Sequence, residues 1–466
     1  MKVAFRVLVA AGCFALLSLT CGFAPNPSHT NTADIIVTAA PTYDPLAAIH
    51  GGERFPGGSH LLLIHDGAAT SLLPDFSASA DANISFDGSS VLFSGKKNAS
   101  DPWQIWELTL SDRSVRQVIT SGSDAIRPFY LPGWRIVFAE HSAGRFQLQS
   151  VRLIDSKGVE QIEGKGIQSV FPISFMQASA IPADVLEDGR ILFESGFPLG
   201  EGNSSELFLV YSDGSGVESY RCDHSPKARW GGRQLHSGDV VFTHGSSLAR
   251  FTSPLAHEER IVAPRAEYDG AIAETPSGEW LVSARASSAA RYGLHLWKQG
   301  KLKLRPLITR AGENLLDPVL VATRNRPRRH PSALHDWDYA NLLALDARIS
   351  RDGAMKSTPA SVRLETQDDS GNAVAMGTAP VESDGSFFVK APADRAIRLI
   401  LLDAKGDMIR QEHGWFWIRR GEQRYCVGCH AGPEHAPENR VPQVLLHSTT
   451  PVDLTGVASR PERGGN

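Results

Sequence analysis

The chain has 466 residues, 42% of them hydrophobic and 21% charged, with a formal net charge of -4 and an isoelectric point near 6.5. That length predicts two or three domains. The charge balance excludes a strongly basic nucleic-acid binder, and 42 glycines with 28 prolines point to a turn-rich, mainly β chain.

In chain order, Lys2 and Arg6 precede an apolar stretch from Val7 to Leu19. A charged lead followed by a short apolar run predicts a signal peptide over residues 1-21 and export to the periplasm. Cys21 followed by Gly22 resembles a lipoprotein cleavage site, at which Cys21 would carry a lipid anchor; Ser18 stands where Leu is usual, and ordinary signal-peptidase cleavage is the alternative. No later apolar run is long enough to span a bilayer. Of five cysteines, Cys13 and Cys21 belong to this segment and Cys426 and Cys429 to a motif near the other end. Cys222 is left over, so no disulfide framework is expected, and it reads as a half-buried structural thiol.

Residues 22-48, rich in Pro, Asn, Ser, Thr and Ala at their start, are expected to form a flexible tether. Residues 49-323 then repeat a polar turn ending in Gly followed by a short apolar strand. The instances are Asp87-Gly88 before Val91-Leu92-Phe93, Pro132-Gly133 before Ile136-Val137-Phe138 and Asp188-Gly189 before Ile191-Leu192-Phe193. Ser237-Gly238 before Val240-Val241-Phe242 and Ser277-Gly278 before Trp280-Leu281-Val282 follow. The turn glycines are 45, 56, 49 and 40 residues apart, the period of β-propeller blades. An earlier partial blade (His60 to Ile64, then Leu72-Leu73) makes about six, with closure expected from strands near Leu315 to Ala322. On these turns the region resembles the TolB-type propeller with PD40 repeats.

Residues 324-338 contain Arg324-Asn325-Arg326-Pro327-Arg328-Arg329-His330-Pro331, read as a solvated linker. Across 339-412, alternating segments such as Ser361-Val362-Arg363-Leu364-Glu365 and Ile397-Arg398-Leu399-Ile400-Leu401-Leu402, separated by Gly-containing turns, predict a small antiparallel β-sandwich.

Residues 413-447 carry Cys426-Val427-Gly428-Cys429-His430, the C-x-x-C-H signature of covalent haem c. Two thiols three positions apart can reach both vinyl groups on one edge of the porphyrin, and the following imidazole can take an axial position on the iron. Cys426 and Cys429 are therefore the expected covalent haem attachments and His430 the expected axial ligand. Zinc held by Cys426, Cys429, His430 and His435 is the alternative. The sixth iron position is open among Met408, His413, His435, His447 or none. Trp415, Phe416 and Trp417 are expected to pack on the porphyrin or the sandwich; Arg419, Arg420 and Arg424 either pair with propionates or face solvent, and Arg440 closes a turn at the haem edge. Residues 448-466 are expected to be a disordered tail.

The string from Trp415 through Arg419, Gly421 and Glu422 to the motif, then Ala436-Pro437-Glu438-Asn439-Arg440, resembles the middle region of the hydrazine synthase alpha subunit and related propeller-plus-haem proteins. That resemblance implies one covalent haem on a propeller scaffold, a redox partner protein or small-molecule substrate, and a heteromeric complex. The family's alpha subunit has a further C-x-x-C-H and an iron-ligating Tyr just downstream; this chain has one motif, followed by Ala431, Gly432, Pro433 and Glu434. The resemblance therefore implies the scaffold, and a shared fold does not settle the reaction; oxidoreductase catalysis in a hydrazine-synthase-like complex is a third possibility. Catalytic residues are not identified: G-x-S-x-G, Walker A and H-E-x-x-H are all missing from the sequence. The expected function is electron transfer, or redox chemistry on a small molecule, at a single exported haem. A propeller binding module with a structural zinc or haem is the alternative from a different class.

Overall fold

The computed structural model describes residues 33-153, 170-197, 204-220, 228-253, 257-350, 355-368, 370-428 and 439-456. They form a six-bladed β-propeller and a β-sandwich. Among the described residues no helix is long and apolar enough to cross a membrane.

Each blade is a four-stranded sheet. Five are built from consecutive strands, whose innermost members are Ala78-Ile84, Ala125-Leu131, Ala180-Val185, Arg229-Gln234 and Glu267-Glu274 (blades 2 to 6). Blade 1 takes Ile35-Ala40, His60-His65 and Ala68-Ser71 from the start of the described chain, and its innermost strand, Asn314-Leu320, from 270 residues later. That pairing closes the ring and removes open edges around it. The strand Ile35-Ala40 lies within the stretch expected to be a tether; its six residues are all buried, so the apolar run Ile35-Ile36-Val37 was the overlooked signal.

The apolar triplets after each turn are second strands with blades on both sides, so both faces are apolar. Val91 and Phe93 pack toward blade 1, whereas Leu92 packs toward blade 3. The same division separates Phe193 from Leu192 and Val282 from Leu281. Six inter-blade cores result. All five turn glycines have φ between 73° and 91°, a region that Cβ-bearing residues seldom adopt.

The ring's axis is polar and covered at both ends. At one mouth, the segment between the first two strands of blade 1 carries the short helix Ala47-His50 across to blades 3 and 4, and Ala48, Ile49 and Phe55 pack on Ala80, Ile126 and Ile181. Arg54 descends from it to Asp81 (2.7 Å) and Asp317 (2.8 Å), while Arg127 reaches Glu194 at 3.1 Å. At the other mouth the linker crosses the propeller. The Arg324 N-H donates to Phe86 O (3.0 Å) and the Arg328 N-H to Glu187 O (2.8 Å), and His330 stacks on Tyr211 at 4.0 Å. Although Arg326, Arg328 and Arg329 are exposed, this segment is thus pinned rather than the solvated hinge its composition suggests.

The sandwich packs two four-stranded sheets. One holds Gln423-Cys426, Tyr339-Ala344, Phe387-Pro392 and Val452-Asp453; the other holds Ala373-Pro380, Ser361-Gln367, Ile397-Leu402 and Met408-Gln411. Val452-Asp453 falls in the stretch expected to be a disordered tail, and it pairs in parallel with Val389 and Lys390. Leu342, Val362, Leu364, Val389, Ile397 and Leu401 fill the core between the sheets.

Candidate functional site

The first cysteine of the motif ends an edge strand. Gln423-Cys426 runs parallel to Tyr339-Ala344 in the register Asn341 with Gln423 and Ala344 with Cys426, and the Leu345 N-H donates to Cys426 O at 2.8 Å. The side chain of Cys426 is half-buried against the sandwich core. Burial pushes its thiol up; Arg424 pulls the other way, and the Glu412 and Glu422 carboxylates add to the rise. The direction is opposite to that of nucleophilic cysteines, whose thiols are pulled down toward the thiolate. Cys429, His430 and His435 lie outside the described residues, as do Cys13, Cys21 and Cys222.

The chain downstream of the motif is fastened at the same end of this sheet. Ala344 pairs with Cys426 on one side and with Phe387 on the other. Next to Phe387, the Ser386 Oγ accepts the Val444 N-H at 3.0 Å. Asp384 accepts the Gln443 N-H at 2.8 Å and the Arg440 guanidinium, which also faces Asp346 at 3.7 Å. Burial would raise the Asp384 carboxyl, but its bonds from Ser386, Gln443 and Arg440 outweigh this and hold it at about 2. The described flanks of the motif, Cys426 before it and Arg440 to Val444 after it, are thus both attached at the Ala344 end of this sheet, with an ion pair at the return.

The candidate sixth ligands are scattered. Met408 is 60% exposed and opens an edge strand of the second sheet. His413 directly follows Glu412, whose carboxylate influences the Cys426 thiol. His447 ends the short helix Gln443-His447 with its Nδ1 2.9 Å from Glu382. Among the described residues, no group of three or more His, Cys, Asp or Glu side chains is arranged to hold a metal ion.

The aromatic and basic block before the motif works elsewhere. Trp415 and Trp417 enter the apolar core between blades 3 and 4, beside Phe193, Phe208 and Ile173. The Trp417 Nε1-H donates to Gly214 O at 2.8 Å. Arg419 donates from Nε to Asp213 O (2.9 Å) and from Nη1 to Asp394 (2.6 Å), with its guanidinium 4.6 Å from the Phe175 ring centroid. Arg424 donates to Val217 O, and Glu422 accepts the Gly216 N-H at 3.2 Å. A Cβ on Gly214 would sit 2.7 Å from Ile173 O and 2.9 Å from the Arg419 side chain, so this close approach requires glycine. Both Trp residues are therefore buried against the propeller, Trp415 also under the Arg398 guanidinium of the sandwich, 4.3 Å from its ring centroid, and Arg419 and Arg424 donate to backbone carbonyls of blade 4. The sequence could not show this, because the partners lie about 200 residues upstream, in a blade turn that carries no local mark of a binding partner. Arg440 is likewise committed, to Asp384 and Asp346.

These features define a six-bladed propeller carrying a sandwich that presents one cysteine of a C-x-x-C-H motif. Residues 341-431 match the hydrazine synthase alpha subunit middle domain. Kuenenia stuttgartiensis hydrazine synthase has a similar structure, with a TM-score of 0.74 at 18% identity over 89% of this chain and 71% of that one. TolB from Acinetobacter baumannii matches with a TM-score of 0.43 at 14% identity over 61% of this chain and 66% of that one. No curated protein sequence matches the chain.

Proposed function

We propose that the chain is an exported c-type haem protein that carries out electron transfer, or redox chemistry on a small molecule, at a single haem. Cys426 and Cys429 would hold the haem covalently and His430 would bind its iron. The observation that carries this reading is the C-x-x-C-H string inside a segment whose two flanks are fastened at one end of the sandwich. The described part of the motif fits such a group: Cys426 is half-buried at the end of an edge strand, not in a disulfide, against apolar side chains. A bound haem would supply a one-electron couple whose potential depends on its axial ligands and burial. The chain's own contribution is to orient Cys426 through the parallel strand pair and to return the chain through Arg440 and Asp384. The propeller would serve as scaffold or docking surface. Because the matching model is that of an alpha subunit, further subunits belong to the proposal.

Expression with haem-ligation machinery in a bacterial periplasm tests it. The wild type is expected to keep a haem stain through denaturing electrophoresis; C426A/C429A is expected to lose it, and H430A to keep the stain with a displaced Soret band. Bound zinc without a Soret band would overturn the reading. Hydroxylamine or nitric oxide separates the two roles: a Soret shift on addition favours chemistry on a small molecule, and an unchanged spectrum favours electron transfer.

A further inference from the structure

A cleft of about 440 Å³ opens between blades 2 and 3 on the face crossed by the linker, with Phe86, Tyr130, Trp134, Arg135, Arg326 and Glu107 in its lining. Its volume is that of a small-molecule site. The internal repeat shows what is unusual there. The residue after the turn glycine is Ser89, Arg190, Asp239 and Glu279 in blades 2, 4, 5 and 6, but Trp134 in blade 3. Trp134 is 67% exposed, and of these five residues it alone has a left-handed backbone, with φ 58°. A Cβ-bearing residue is strained in that conformation, and packing does not offset it, since most of the ring faces solvent.

The charges of the cleft are unevenly committed. Asp87 accepts Ser85 Oγ (2.6 Å), Ser89 N (3.0 Å) and Ser89 Oγ (2.7 Å). Glu107 accepts Arg116 Nε at 2.6 Å and the Tyr130 hydroxyl at 2.7 Å. Arg135 has a serine hydroxyl, Ser150 Oγ at 2.8 Å, and Arg326 lies 5.8 Å over the Phe86 ring; neither forms an ion pair among the described residues. Burial also weakens the hold of Arg135 on its proton; the Asp213 carboxylate opposes this without forming an ion pair, and the Arg329 guanidinium adds to it. Arg135 and Arg326 thus line the cleft with no carboxylate ion pair among the described residues, alongside Trp134 and Phe86, and both anions of the cleft are in use.

We propose that this cleft binds a small aromatic carboxylate, its ring against Trp134 and Phe86 and its carboxylate toward Arg135 and Arg326. A planar guanidinium suits a carboxylate through paired hydrogen bonds, and an exposed indole suits a flat ring. The lining comes from the propeller and the linker, with no residue of the C-x-x-C-H motif, and the assignment does not depend on haem.

Titration of the full chain with 2-naphthoate by calorimetry, with 2-naphthol as the neutral counterpart, tests the assignment. Saturable 2-naphthoate binding is expected, at least about tenfold tighter than 2-naphthol and at least about tenfold weaker in R326Q, a substitution at an exposed linker position. W134G is expected to weaken binding while raising the melting temperature, because it relieves the turn. No saturable binding, equal affinity for 2-naphthol, or undiminished binding in R326Q and W134G would each overturn it.

Discussion

Arg54 carries more of the propeller than its place in an irregular segment suggests. It is 5% exposed, and its guanidinium joins Asp81 of blade 2 to Asp317 of blade 1's innermost strand. Asp81 and Asp317 have φ of 59° and 51°, at bulges that turn their carboxylates toward the axis. Removing one partner of a buried pair strands the other charges, so R54A is expected to lose about 3-5 kcal/mol, read by denaturant unfolding. The pH sense follows from Asp317. Burial raises its carboxyl, but Arg54 and Arg127 outweigh this and leave it well below the usual range. Its contribution is therefore present above about pH 4, the unfolded carboxyl value, and is lost as pH falls toward the folded value. R54A is expected to flatten that acid limb in unfolding measured from about pH 5 down to about pH 2; an unchanged limb would argue against the pairing.

At the scale of elements, the segment from Trp415 to Arg424 decides how the sandwich meets the propeller. Trp417 is fully buried among side chains of blades 3 and 4, and truncating a buried Trp typically costs about 3-5 kcal/mol. W417A is expected to separate one unfolding transition into two and to expose residues 324-338 to protease, while W417F, which keeps the apolar body and loses the Gly214 bond, falls between. A single sharp transition in W417A would count against this joint. The element was readable as apolar from its composition, and its neighbour was not. Trp415 and Trp417 alternate as strand residues do, which fits a sandwich face, a porphyrin or another domain equally well.

For the whole molecule, ring closure rests on Asn314-Leu320 lying between the strands of blade 1 and the neighbouring innermost strands. Deleting residues 33-40 removes its partner and exposes an apolar edge. The expected outcome is a chain that retains β-rich circular dichroism but associates on size exclusion; a monomer with unchanged melting temperature would refute the closure. This arrangement also unites residues at opposite ends of the propeller sequence, so the blade ring unfolds as one body.

The sequence by itself determined the repeat, because a turn glycine and a strand apolar on both faces are local demands that recur in every blade. The C-x-x-C-H string is likewise local, five consecutive residues whose spacing can be read without any fold. Only the tertiary structure decided that Ile35-Ala40 belongs to blade 1 and that the basic linker covers one end of the axis. It alone showed that the aromatic block before Cys426 holds the sandwich to blade 4. Each of these depends on which distant surfaces meet, and the residues involved satisfy the same local rules whether or not they meet. A Trp is apolar wherever it packs; that Trp417 packs beside Phe193 and Phe208 is a property of the closed ring.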